Sequence, residues 1–132
     1  METIESSTEL TLDFKKLTRL SQMDVLPVVV QHFQTKDVLI LAYINEIALQ
    51  RSLKEKKAIF WSTSRNTLWV KGASSGDYLF LNEVRVNCEQ NSLLFLVTPM
   101  GTGVCHTKDR HGTHRPTCYY RMLDTDTTLT FC

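Results

Sequence analysis

Cys88, Cys105 and Cys118 are three thiols with sixteen and then twelve residues between them, and His106 directly follows the second. Three thiolates can hold a zinc ion and leave a fourth position for water, which is the arrangement of a catalytic zinc site rather than a closed structural one. No close Cys-x-x-Cys pair is present, so the spacing matches no finger or ribbon. On spacing alone, catalytic zinc, structural zinc and ordinary core cysteines all remain open. Cys132, at the last position, is expected to be a bystander.

His106, His111 and His114 are the competing ligands or acid/base groups, because a neutral imidazole either binds zinc or moves protons near neutral pH. A histidine in a polar loop is otherwise simply solvated. Adjacency to Cys105 singles out His106, which is held close enough to take the proton of a bound water. A second constellation runs Ser62-Thr63-Ser64-Arg65-Asn66, Trp69-Val70-Lys71-Gly72, Ser74-Ser75-Gly76. Its hydroxyls, glycines and two cations suit phosphate binding. The same residue types also make polar turns. No Walker loop or dinucleotide fingerprint is present.

These groups need a scaffold. Val28 to Phe33 and Val38 to Tyr43 are β-branched or aromatic runs around the polar turn Gln34 to Asp37, which predicts a hairpin. Asn45 is placed to cap a helix through about Lys54, with Glu46 at its positive end and Ile47, Ala48 and Leu53 expected to face the sheet. Ala58 to Ser62, Thr67 to Val70, Tyr78 to Val86 and Leu93 to Thr98 are the remaining strand candidates. Leu10, Phe14, Leu17 and Leu20 recur at helical spacing, so residues 1–24 are expected to supply a short amphipathic helix packed on the domain. The strand count favours a mainly β domain (α+β by content) with one or two helices, its mixed sheet folded and barrel-like. From Pro99 to Thr117 hydrophobic periodicity is lost, and a loop of that length carries function or needs a tether such as zinc. Residues 124–132 form a Thr-rich C-terminal tail.

A chain of 132 residues with 42% hydrophobic content supports a single core. The net charge of +1 gives no general attraction to nucleic acid or to anionic membrane, so neither is expected as a partner. The N-terminus lacks the basic and apolar regions of a signal peptide, and no apolar run approaches a membrane span. A cytoplasmic location is therefore expected, where thiols stay reduced and clustered cysteines bind metal more often than they pair.

Several segments occur in a telling order: Leu41-Ala42-Tyr43-Ile44-Asn45-Glu46 with Ala48-Leu49, Trp61 to Arg65, Leu68 to Gly72 with Ser75-Gly76, Cys88, Cys105-His106-Thr107 and Cys118-Tyr119. In that order the chain resembles phosphoribosyl-AMP cyclohydrolase, the ring-opening enzyme of histidine biosynthesis, from Leu26 to Arg121. The resemblance makes 25–123 a cyclohydrolase-like domain. It implies zinc-dependent hydrolysis of the N1–C6 bond of the adenine ring in 1-(5-phosphoribosyl)-AMP by an intertwined homodimer. It also implies that Cys88, Cys105 and Cys118 are the zinc thiolates, one from one subunit and two from the other. The implied substrate contacts are Ser62, Ser64, Arg65, Trp69, Lys71, Gly72, Ser74 and Ser75, with Arg65 and Lys71 as the phosphate cations.

Zinc lowers the pKa of water towards ~7, and hydroxide adds to an electrophilic ring carbon as it does in zinc deaminases. A ribosyl group on N1 makes the ring cationic, so the ring bond breaks instead of ammonia leaving.

The chain departs from the family pattern in three places. The family sets its first cysteine within an aspartate triplet, Asp-Cys-Asp-x-Asp, that binds magnesium, whereas Asn87-Cys88-Glu89-Gln90-Asn91 stands here. One carboxylate in place of three should weaken a Mg²⁺ site at Asn87, Glu89 and Asn91. The interval between the second and third cysteines is longer than usual, by roughly Asp109 to Arg115, and the pyrophosphohydrolase domain that often follows is not expected. The alternatives are a zinc hydrolase or non-catalytic binder acting on another purine nucleotide, or an RNA binder using Lys108, Arg110 and Arg115. The balanced charge disfavours the last.

Overall fold

The computed structural model describes residues 3–12, 14, 22–73 and 76–132. Within them the chain runs β1 (Leu26–His32), β2 (Val38–Ile44), α1 (Glu46–Glu55), β3 (Ile59–Ser62), β4 (Thr67–Val70), β5 (Leu79–Val86), β6 (Leu93–Pro99), β7 (Arg121–Leu123) and β8 (Leu129–Phe131). The six longer strands and the helix lie where hydrophobic patterning predicts them. The fold is thus mainly β with one helix among the described residues.

The sheet is mixed and open, in the order β2-β1-β6-β5. β1 and β2 are antiparallel with Val28 opposite Ala42, β5 and β6 are antiparallel, and β1 runs parallel to β6 with Val30 opposite Phe95. The expected barrel does not form, because the edge strands β2 and β5 take short chain segments as partners and not each other. On the β5 side, Ala58 donates its N–H to Leu79 O at 2.9 Å and Leu81 to Lys56 O at 2.9 Å. On the β2 side, Cys118 donates to Leu39 O at 2.8 Å, and the Thr117 hydroxyl to Val38 O at 2.8 Å. Both edges are thereby shielded from further strand pairing, and one of the shields delivers a cysteine.

Asn45 caps α1 as its side chain predicts, accepting from the Ala48 N–H at 2.9 Å. The face it buries is only partly the one expected, since Ala48 turns inward as predicted and Ile47 and Leu53 do not. Ile47 and Leu53 are exposed, while Ala48 and Ser52 are wholly buried. Small residues one turn apart let the helix approach β3 closely. The Ser52 hydroxyl fixes that approach, donating to Ala48 O and Ile59 O at 2.8 and 2.9 Å and accepting from Ile59 N at 3.0 Å.

The core gathers inward residues of both layers, including Val28, Val30, Ile44, Ile59, Phe60, Leu79, Phe95 and Val97. Burying each large side chain contributes about 1.5–3 kcal/mol. Phe60 lies between Phe95 (ring centroids 6.0 Å apart) and Trp69 (5.6 Å), so the core reaches directly into β4. The amphipathic helix expected across Leu10 to Leu20 lies largely outside the described residues. Ahead of it the chain is strapped to the C-terminal hairpin, with the Leu10 N–H on Thr127 O at 2.9 Å and that of Leu129 on Thr8 O at 2.6 Å. The Thr-rich tail therefore ends in a strand, β8, paired with β7.

Candidate functional site

Of the three cysteines set apart by the sequence, one chain brings two together. Cys105 is 2% exposed, with its sulfur 2.9 Å from the Thr107 hydroxyl. Cys118 is delivered by the segment that caps the β2 edge. It keeps an exposed side, yet desolvation, followed by the charge and hydrogen bond of Cys105, pushes its thiol up to about 12. Lys71 works in the opposite direction on that thiol. Cys88 lies elsewhere, exposed in the turn between β5 and β6. Among the described residues no three His, Cys, Asp or Glu side chains converge within one chain.

Beside the thiols is a cleft of about 450 Å³ lined by Arg65, Trp69, Lys71, Gly72, Asp77, Cys105, His106 and His114, among others. The two constellations read from the sequence, one thiol-rich and one cationic, thus share a wall. β4 sets the cationic side: Trp69 is held by Phe60, and Lys71 follows one residue beyond the strand end. Lys71 is only 9% exposed and its ammonium lies 5.9 Å from the Trp69 ring centroid. Burial pushes its pKa below the ordinary lysine range, while Cys118, Cys105 and Asp77 push it back up. Gly72 has φ +85°, and a Cβ there would sit 2.2 Å from Tyr78 N, so the turn after Lys71 requires glycine.

The thiol side is built by the stretch expected to be a structureless loop. It forms its own ladder: Cys105 N–H to Arg115 O at 2.9 Å, Arg115 N–H to Thr107 O at 3.1 Å and Asp109 N–H to Thr113 O at 2.8 Å. The insertion, Asp109 to Arg115, is therefore the tip and return limb of a hairpin. Amide N–H groups of Thr113 and His111 on the Asp109 carboxylate hold it below its ordinary range and close the tip. The return limb brings His114 Nδ1 to 3.0 Å from Cys105 O. Gly103 permits the approach, since a Cβ there would lie 2.2 Å from His114 O.

His106 stands at the cleft rim, exposed, with Nε2 3.0 Å from Glu5 Oε1. Its partner comes from the N-terminal strap, which Arg121 holds through hydrogen bonds to Ile4 O and Ser7 O, each 2.8 Å. Ser62 ends β3 and Ser64 lies in the turn to β4: their hydroxyls are 3.3 Å apart, and the Arg65 N–H donates to Ser62 Oγ at 3.2 Å. Ser74 and Ser75 lie outside the described residues. Asn87, Glu89 and Asn91 sit together in the Cys88 turn. His111 lines a separate, larger concavity of about 700 Å³ with Arg110, Arg115, Tyr119, Tyr120 and Phe131. That space contains neither Cys105 nor Lys71, so size is a poor guide to the chemistry here.

Sequence reasoning missed Asp77 and left His114 no more than a competitor. Asp77 accepts the Thr102 N–H at 3.2 Å and faces Lys71 across the cleft. The available signal was its isolation, as the one carboxylate between Glu55 and Glu83. Glu5 was missed because nothing in the sequence ties the N-terminus to residue 106.

Known proteins are similar to this chain over the region that builds the cleft. The family model for phosphoribosyl-AMP cyclohydrolase matches residues 40–120, a span that includes the whole cleft wall. The phosphoribosyl-AMP cyclohydrolase of Streptococcus mutans is 47% identical over 100 residues, 76% of this chain and 86% of the relative. That of Clostridium beijerinckii is 37% identical over 112 residues, 85% and 92% of the two chains. The histidine biosynthesis bifunctional protein HisIE of Haemophilus influenzae is 41% identical over 96 residues, 73% of this chain and 41% of that longer one.

Proposed function

Since the chain belongs to the phosphoribosyl-AMP cyclohydrolase family, we propose that it hydrolyses the N1–C6 bond of the adenine ring of 1-(5-phosphoribosyl)-AMP, using zinc, as a homodimer in the cytoplasm. The observation that carries this reading is the meeting of Arg65, Trp69, Lys71, Cys105 and His106 around one cleft, with Cys118 against Cys105. No described helix is long and apolar enough to cross a membrane.

The donor set suits zinc. Cys105 and Cys118 are two soft ligands already in contact, and the exposed Cys88 of a second subunit is free to complete a three-thiolate set. Zinc bound there supplies the acidity that makes water nucleophilic at neutral pH.

The chain's own residues do the rest. Lys71 and Arg65 hold the phosphates, Lys71 more tightly because it is buried and its charge is poorly screened. Trp69 offers a flat apolar wall beside that cation. His106 takes the proton of the attacking water on Nδ1, while Glu5 on Nε2 fixes the ring and stabilises the imidazolium that results. Gly72 makes the tight turn against the Tyr78 backbone that follows Lys71 in the cleft wall. As the N1–C6 bond breaks, the imidazolium returns that proton to N1, C6 is left as a carboxamide, and the ring-opened product leaves.

The direct test is turnover of phosphoribosyl-AMP by purified, metal-analysed protein, beside AMP and adenosine as competing substrates. Opening of phosphoribosyl-AMP alone is expected, with Cys105→Ala abolishing it. Turnover of AMP or adenosine instead would mean a different purine hydrolase, and activity undiminished in Cys105→Ala would overturn the zinc reading.

A further inference from the structure

The turn that carries Cys88 also holds Asn87, Glu89 and Asn91, which the function above does not use. These three residues stand at the positions of the aspartate triplet in the family pattern. Asn87 Oδ1 accepts from two backbone donors, Asn91 N–H and Ser92 N–H, each at 2.9 Å. An amide oxygen has two lone pairs, so both are occupied. Backbone donors also fix which way the amide points, and Nδ2 is thereby directed at Asn91 Oδ1, 2.7 Å away. The Asn91 amide in turn donates to Glu89 Oε2 at 3.4 Å.

Mg²⁺ needs about six oxygen ligands at about 2.0–2.1 Å in near-octahedral array, and dehydrates only for hard, preferably anionic donors. This turn offers one carboxylate, already contacted by an N–H. Its amide hydrogens are spent on the Asn91 and Glu89 oxygens that a cation would need as ligands. The residues present do not fit the ion.

We propose that Asn87 and Asn91 form a metal-free clasp that closes this turn and sets the position of Cys88, and that the protein has no Mg²⁺ site there. The positioning of Cys88 rests on the reading of that thiol as a zinc ligand, whereas the lack of a Mg²⁺ site does not. Asn87 N–H to Ser92 O at 3.2 Å and Gln90 N–H to Asn87 O at 3.1 Å complete the closure, with Gln90 in the left-handed region at φ +56°. Cys88 lies between Asn87 and Glu89, so the clasp determines where its sulfur projects. Asn87 is a positioning residue for that thiol.

The test is calorimetric titration of the zinc-loaded protein with Mg²⁺, and Mn²⁺ binding followed by electron paramagnetic resonance. Wild type should show no saturable site, and Asn87→Asp/Asn91→Asp should gain one Mn²⁺ per chain with at least tenfold tighter binding. In parallel, zinc retention against a competing chelator should fall about tenfold in Asn87→Ala, the scale seen when outer-shell partners of metal ligands are removed, and added Mg²⁺ should not restore it. Asn91→Ala, which leaves the backbone contacts of Asn87 in place, is the milder variant if Asn87→Ala folds poorly by circular dichroism.

Saturable Mg²⁺ binding in wild type that Glu89→Gln abolishes would overturn the proposal. So would a double aspartate variant that still binds no divalent ion, or unchanged zinc retention in both alanine variants. None of these measurements uses turnover, so the result is independent of whether phosphoribosyl-AMP is the substrate.

Discussion

Cys118 rests against Cys105 so closely that desolvation and the neighbouring sulfur together push its thiol up to about 12. The folded, metal-stripped chain therefore holds a proton that the unfolded chain releases above pH 9.0. A raised acid pKa contributes stability that is present below the unfolded value and is lost as pH rises towards the folded one. The melting temperature of metal-stripped protein should fall between pH 9.0 and about 12, and the fall should be smaller in Cys118→Ser. Scanning calorimetry across that range checks it, and identical slopes in the two proteins would refute the assignment.

Lys71 is the cation with most to lose. It is 9% exposed and shares its cleft with Cys105, so a phosphate bound there meets a charge in a poorly screened setting. Charge-assisted hydrogen bonds are worth about 1.5–3 kcal/mol. Lys71→Met should lower kcat/KM for phosphoribosyl-AMP by about 10- to 100-fold with the melting temperature unchanged or raised, because a buried charge is removed. The exposed Arg65, changed to Met, should cost less. Steady-state kinetics on both variants decide the ranking.

Ser52→Ala should destabilise the protein without touching the site. The hydroxyl serves three buried hydrogen bonds, two of them to the N–H and C=O of Ile59. Leaving buried polar groups unpaired costs about 1–3 kcal/mol. Urea denaturation should show a loss of that size, while kcat/KM at low temperature stays close to wild type.

Ser52 also marks where sequence reasoning reached its limit. The runs Val28 to Phe33 and Leu93 to Thr98 announce strands because β-branched and aromatic residues bounded by polar turns have few other solutions. Asn45 announces the helix start for an equally local reason. Which face of α1 is buried depends on what it meets. β3 meets it through Ala48 and Ser52, so the larger Ile47 and Leu53 are left outside. The parallel pairing of β1 with β6 joins residues about half the chain apart and has no local signature. The ladder from Cys105 to Arg115 is built from residues without hydrophobic alternation, so it reads as a loop until its backbone partners are known. In the cleft, Arg65, Trp69, Lys71 and His106 were legible from residue type, whereas Asp77 and Glu5 depend on contacts that only folding creates.

Gly103→Ala tests that ladder. A Cβ would lie 2.2 Å from His114 O and 2.9 Å from Arg115 O, both backbone atoms that cannot swing away. The return limb must move, and with it the Arg115 carbonyl that accepts the Cys105 N–H. Zinc retention and turnover should both fall, while the far side of the sheet keeps its hydrogen-exchange protection. Loss of protection throughout β1 and β6 would point instead to general misfolding.

The strongest test of the proposed zinc set is complementation. Cys105 and Cys118 meet within one chain and Cys88 does not join them, so the proposed three-thiolate set requires Cys88 from a partner. Cys88→Ala and Cys105→Ala should each be inactive alone. Mixed after unfolding and refolding together, half the dimers should be hybrids. Each hybrid pairs the intact Cys88 of one chain with the intact Cys105 and Cys118 of the other at one site, and leaves the second site without either residue. Recovery of roughly a quarter of wild-type activity is therefore expected for a two-fold symmetric dimer. No recovery would place all three thiols within a single chain, and recovery well above that fraction would require that Cys88 be dispensable.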